Sequence, residues 1–271
     1  MFALSQADNV HWQSALTGFL ILHLLIFPSS NGYNSYQDHD TGSIGGIKHP
    51  PGTTVHLLYA TILFDFAGIA CSFLISAYFS LLVLIFVIMS HAYSYRKIRL
   101  KRKPVLAFFT VFIFQGAFVY LTSSFAISPS LSSEFMTTKN ILCMLVSSLF
   151  IGSIYPLTQI YQHESDKNDG VISLSYKLGY TGTFVFSAAL FSIASLLLFY
   201  YFKLKHQAVA TALFFLIMLP VIFRLTVWFK KVRQNFVHAD YENAMNLNFL
   251  TSACMNLFFL VLIINNHLAI F

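Results

Sequence analysis

Two short stretches hold half of the ten acidic side chains in this 271-residue chain. Asp38 and Asp40 lie in SSNGYNSYQDHDTGSIGGIKHPPG, residues 29–52; Glu164, Asp166 and Asp169 lie in YQHESDKNDGVISLSYKLG, residues 161–179. Each stretch directly follows an apolar run. A third, YSYRKIRLKRKP (residues 93–104), is strongly basic. Carboxylates and side-chain amides from two helix ends, with cations nearby, suit a Mg²⁺–diphosphate: Mg²⁺ keeps a few carboxylates and completes its octahedron with substrate phosphates. Lys and Arg neutralise the remaining phosphate charge. Taken singly, each acidic stretch also reads as an ordinary connector, since Asn, Gly, Ser, Asp and Pro are what turns use. Their occurrence together, with the basic stretch between them, is what points to chemistry.

The elements that must bring them together are membrane helices. The chain is 57% hydrophobic and 10% charged, with 30 Phe and a mean hydropathy of +0.69. A soluble domain carries roughly 25% charged residues. Apolar runs near 11–30, 55–74, 76–95, 105–127, 138–160, 180–201, 207–229 and 245–269 each approach the roughly 20 residues that cross a bilayer. The stretch 55–95 is too long for one span and divides near Leu74–Ser76 as a tight helical hairpin. The expected fold is all-α, a polytopic bundle of eight spans forming one domain over residues 1–271.

With eight spans, both acidic stretches and the basic one fall on one side of the membrane. That side carries twelve of the sixteen Lys and Arg, the other carries three, and Arg224 lies within a span. The positive-inside rule makes the richer side cytoplasmic. The expected location is the cell membrane, multi-pass, with the acidic loops facing the cytoplasm. In a membrane protein the net charge of +6 reflects orientation, and no nucleic-acid partner is expected. Cys71, Cys143 and Cys254 all fall in apolar runs, without metal-ligand spacing or a disulfide framework. No cleavable signal peptide is evident.

These residues resemble the motifs of the UbiA superfamily of intramembrane prenyltransferases. Its second motif resembles D-x-E-x-D-x-x-x-G-x-x-(T/S)-L. Here Glu164, Asp166, Gly170, Ser173 and Leu174 match, and Gln162 replaces the first Asp. Its first resembles N-D-x-x-D-x-x-x-D. Here Asn34, Tyr36 and Asp38 keep the pattern, Ser35 and Gly42 stand where Asp is usual, and Asp40 is near enough to substitute. Lys48 before His49-Pro50 is similar to the basic residue and proline that close the first motif. The family pattern has nine spans, one before the helix that leads into the first motif. The resemblance therefore implies that a first helix is missing from this sequence.

The resemblance implies a Mg²⁺-dependent transferase that moves an isoprenyl group from an isoprenyl diphosphate to a lipophilic acceptor, an aromatic ring or quinone precursor. Asp38 and Asp166 would be catalytic, and Asn34, Asp38, Asp40, Glu164, Asp166 and Asp169 would hold metal. Lys48, Arg96, Lys97, Arg99 and Lys167 would bind diphosphate, with Tyr36, Asp65 and Gln162 in the substrate cavity. The bilayer, the diphosphate and the acceptor are the expected partners. Two other readings stand beside this one: a non-catalytic family member, and a carrier for a lipid or small metabolite. Outside the motifs, Asp65 is an acid inside a span, where such residues are costly and often functional; a hydrogen bond to a neighbouring helix is the alternative. Gln115 and Asn256, also mid-span, could orient an acceptor or join helices. The ten His show no paired spacing for haem.

Overall fold

The computed structural model describes residues 1–39, 42–129 and 137–268. A short helix α1 (Phe2–Gln6) precedes eight helices that are long and apolar enough to cross a membrane. These are α2 (Trp12–Asp38), α3 (Val55–Ser72), α4 (Ala77–Ser94), α5 (Pro104–Ile127), α6 (Thr138–Asn168), α7 (Leu174–Leu204), α8 (Ala208–Gln234) and α9 (Tyr241–Leu268). The one β-type pairing among the described residues is a bridge between Ile44 and Ile47.

Local chemistry sets the boundaries. The α3–α4 hairpin turns at Phe73–Ser76, where the Ser76 side chain caps α4 by accepting from the Phe79 N–H at 3.1 Å. Pro104 opens α5, a position where its missing N–H costs nothing. Thr137 and Ser173 cap α6 and α7 in the same manner as Ser76. Gly179, at φ +65°, breaks α7 five residues after its start. Apolar residues then pack in two clusters: Ile26, Phe79 and Val83 among α2 and α4, and Val146, Phe214, Trp228 and Phe258 among α6, α8 and α9. Outward-facing Phe66, Phe223 and Phe249 are exposed, as side chains facing lipid should be.

Two spans contain a π-helical turn, Ile21–Ile26 in α2 and Phe112–Ala117 in α5. The second has a visible cause. A Cβ on Gly116 would lie 2.3 Å from the Ser148 Cα, so α5 and α6 touch through a residue that must be glycine. Ser148 Oγ accepts from the Ala117 N–H at 2.9 Å, satisfying a backbone donor within the widened turn.

Residues 29–38 and 162–168 of the acidic stretches are helical, where the sequence suggested loops. Helix α2 runs through Pro28 to Asp38, and α6 continues past Pro156 through a 3₁₀ turn (Ile160–Gln162) to Asn168. Their Asn, Ser and Gln side chains read as turn formers when the reference is water or lipid. Here they line a polar cavity, so the helix continues and its polar face is solvated from within the bundle.

Candidate active site

The cavity opens where α2, α4, α5, α6 and α9 face one another and has a volume of about 1320 Å³. Asn34 and Asp38 on the last turns of α2, and Glu164, Asp166 and Asp169 at the end of α6, lie on its rim. Both groups sit at helix C-termini, where the backbone already presents partial negative charge. Carboxylates there raise the local negative potential, and cations are correspondingly favoured.

Two buried cations from the basic stretch supply part of that charge. Arg99, 5% exposed, donates to Asp38 Oδ1 at 3.1 Å, to the Asp169 carboxylate, and to the Asp169 carbonyl at 3.1 Å. It thereby links the two acidic helix ends directly. Lys101, 7% exposed, pairs with the Asp38 carboxylate and donates to Asn34 Oδ1 at 2.9 Å. Asn34 Oδ1 also accepts from Ser94 Oγ at 2.7 Å. Arg99 adopts φ +44°, a left-handed conformation that costs a non-glycine residue of order 1–3 kcal/mol. Its bonds to both helix ends hold it there.

The expected residues separate into groups. Asn34, Asp38, Gln162, Glu164, Asp166 and Asp169 all line the cavity. Asp40 lies outside the described residues. Tyr36 is turned edge-on to His39 and is not a lining residue. Of the five expected diphosphate ligands, Arg99 is buried between the acidic helix ends. Arg96 donates to the Gln37 carbonyl at 2.7 Å and lies 3.5 Å from Asp169. Lys97 is exposed, and Lys167 lies over the Tyr176 ring. Lys48 pairs with Glu242 at 2.5 Å on the outer surface. Asp65 faces His91 of α4, whose Nε2 donates to it at 2.7 Å beneath the stacked ring of Tyr33, and it does not line the cavity.

Several residues at the site were not singled out from sequence. Lys101 is one of six cations in eight residues, and nothing in their spacing marks it as the one that turns inward. Asp240, before α9, brings a fifth carboxylate to the cavity from the opposite end of the chain. Below the acids, the Tyr93 and Tyr155 hydroxyls hydrogen-bond at 2.6 Å, and Gln159 Nε2 donates to Tyr155 at 2.9 Å. The segment after Asp38 also reaches across the rim. Gln162 Nε2 donates to the Ser43 carbonyl at 3.4 Å, and the Gly46 N–H points at the Met245 sulfur.

The rim offers carboxylate and amide oxygens, the donor types that Mg²⁺ takes. Among the described residues no group of three or more His, Cys, Asp or Glu is arranged to hold a metal.

Fold and site together describe a polytopic helical membrane protein with an acid-rimmed, partly apolar cavity. Residues 1–250 match the model of the UbiA prenyltransferase family, and the chain belongs to that family. Similar solved structures include a UbiA homologue from Archaeoglobus fulgidus, one structure bound to DMAPP and Mg²⁺ (16% identity, 97% of this chain and 91% of that one, TM-score 0.63). Another is the same organism's homologue bound to GPP and Mg²⁺ (16% identity, 97% and 92% covered, TM-score 0.62). A third is a digeranylgeranylglyceryl phosphate synthase (18% identity, 93% and 91% covered, TM-score 0.53). At these identities the likeness establishes the shared fold. No curated protein sequence matches the chain.

Proposed function

We propose that this protein transfers an isoprenyl group from an isoprenyl diphosphate to a lipophilic acceptor, with the diphosphate at the rim and the prenyl chain in the cavity below. The observation that carries this reading is the placement of Asp38 and Asp166, from two helices far apart in sequence, on the rim of one cavity beside the buried Lys101. The bound diphosphates and Mg²⁺ of the A. fulgidus homologue support it. The charge asymmetry of the sequence supports a cytoplasmic rim.

Asn34, Asp38, Glu164, Asp166 and Asp169 would hold Mg²⁺, with Gln162 alongside them. When bound, the metal supplies positive charge against the diphosphate oxygens. The remaining work falls to the chain. Lys101 lies where it can neutralise the departing diphosphate as the allylic C–O bond breaks and its electron pair leaves with oxygen. The Tyr93 and Tyr155 rings line the cavity beneath, where aromatic faces stabilise positive charge on the allylic carbon by about 0.5–2 kcal/mol each. The acceptor donates an electron pair to that carbon and loses a proton, which the released diphosphate takes up. The apolar walls, including Phe86 and Phe114, hold the chain and exclude water.

A binding role without turnover draws on one observation: Arg99 and Lys101 already occupy the Asp38 carboxylate, while Ser35, Gly42 and Gln162 stand where the family has carboxylates. The test is Mg²⁺-dependent prenyl transfer from geranyl or geranylgeranyl diphosphate in membranes, across a panel of acceptors. Transfer that disappears in the Asp38→Ala/Asp166→Ala double variant supports the assignment. Full activity in that variant defeats the site. Diphosphate binding without transfer to any acceptor favours the non-catalytic role.

A further inference from the structure

The cavity is charged at its rim and neutral beneath it. Among the described residues that line it, Lys101 is the one Lys or Arg, and Asp38, Glu164, Asp166, Asp169 and Asp240 supply five carboxylates. Deeper, three carboxamides enter from three different helices: Asn31 of α2, Gln115 of α5 and Asn248 of α9. Asn31 stands seven residues before Asp38, and Asn248 seven residues after Tyr241. At about 1.5 Å per residue both lie roughly 10 Å beneath the rim. Gln115 lies deeper, on the π-helical turn that Gly116 and Ser148 fix in place.

None of these three side chains hydrogen-bonds to a described residue. Asn31 and Gln115 are exposed to the cavity and Asn248 is half-exposed, so each keeps its donor and acceptor available to whatever enters. Three such amides facing the same space, from three helices, are disposed for a ligand rather than for joining helices. An isoprenyl chain offers them nothing. A carboxamide both donates and accepts, so it matches a hydroxyl or carbonyl oxygen. It does not neutralise a carboxylate, so an anionic acceptor would find no countercharge at this depth.

Building on the prenyl-transfer reading above, we infer that the acceptor is an uncharged lipophilic molecule bearing a hydroxyl or carbonyl group, recognised by Asn31, Gln115 and Asn248. These residues are positioning residues for the acceptor.

The test is equilibrium binding to the full chain in lipid nanodiscs, with Mg²⁺ and the unreactive donor analogue geranyl S-thiolodiphosphate. The acceptor probes are 2-naphthol and 6-hydroxy-2-naphthoate, alike but for the carboxylate. Wild type should bind 2-naphthol at least tenfold more tightly than the carboxylate. Gln115→Leu and Asn248→Leu should each weaken 2-naphthol at least fivefold while the donor analogue's affinity stays within twofold, which also reports that the fold is intact. If Gln115→Leu loses the donor analogue as well, Gln115→Met and Asn248→Leu decide the matter by the same ratio. Equal or tighter binding of the carboxylate to wild type overturns the inference, as does unchanged 2-naphthol affinity in variants that keep the donor site. Failure of wild type to bind the donor analogue with Mg²⁺ defeats the prenyl-transfer reading itself. Donor binding without discrimination between the naphthols defeats the acceptor inference alone.

Discussion

Arg99 donates to Asp38 at 3.1 Å and, from the same guanidinium, to Asp169. One side chain from a short connector thus ties the end of α2 to the end of α6. Both carboxylate bonds leave from Nη2, while Nη1 donates to the Asp169 carbonyl, so the planar guanidinium holds three acceptors at once.

Arg99→Ala should therefore destabilise the protein, because it leaves two acids at two helix C-termini without their shared cation. Because Asp38 keeps Lys101 and the one-third exposed Asp169 keeps Arg96, the loss should fall below the roughly 3–5 kcal/mol of breaking a fully buried pair. Thermal unfolding in detergent should show the loss. Added Mg²⁺ should recover more stability in Arg99→Ala than in wild type, since a divalent cation can answer the same charge. Equal Mg²⁺ responses would show that Arg99 and the metal do not share a site.

Lys101 and Lys103 differ by two positions and should differ greatly in effect. Lys101 is buried against Asp38 and Asn34, whereas Lys103 is exposed. Lys101→Gln should lower kcat/KM for prenyl transfer by about 10²–10³, the scale of losing one donor to a developing oxyanion. Lys103→Gln should change it less than twofold. Steady-state kinetics over a range of donor concentrations distinguishes the two, and similar losses in both would point to a diffuse electrostatic effect.

Gly116→Ala should drive α5 and α6 apart. The new Cβ would meet the Ser148 backbone at 2.3 Å, a contact that no side-chain rotation relieves. Overpacking of this kind costs about 1–3 kcal/mol. A lowered unfolding temperature checks it, and the variant should also weaken 2-naphthol binding, because the same turn presents Gln115. An unfolding temperature equal to wild type would show that the helices separate freely.

Lys48 and Glu242 form an exposed pair across the outer surface, and the Glu242 carboxylate raises the Lys48 pKa above its ordinary 10.5. A raised lysine pKa stabilises the folded state at pH values below the unfolded value. The contribution is lost as pH rises through the higher folded value. Between pH 7 and 10 it should thus be constant, and above that it should fall. Being exposed, it should also weaken with salt. Comparing unfolding of wild type and Glu242→Gln between pH 8 and 11 tests both statements. A gap between the two proteins that persists at the highest pH would remove the electrostatic account.

Much of this architecture was legible in the residues. Eight spans, the hairpin between α3 and α4, and the family all follow from apolar length, cation asymmetry and motif order. The motif matches at Asn34, Asp38, Glu164 and Asp166 are local patterns, and local patterns survive in sequence. Two readings failed for a common reason. Residues 29–38 and 162–168 looked like loops because polar residues near apolar runs suggest exposure to water. The bundle instead encloses its own polar space, and helices continue along it.

The cations show the limit most clearly. Nothing local separates Arg96, Lys97, Arg99 and Lys101, which share one short basic run. The left-handed turn at Arg99 and the packing of α4 against α2 and α5 turn two of them inward. Asp65, likewise, was an intramembrane acid with several conceivable roles until the fold placed His91 beside it. Composition and periodicity by themselves determined that the chain crosses a membrane many times and carries two acidic motifs, because desolvating charge is too costly to leave that pattern ambiguous. Which charges meet, and which amides share the cavity, only the tertiary structure decided. Those contacts join residues tens to hundreds of positions apart, and their energies depend on distances that no linear spacing encodes.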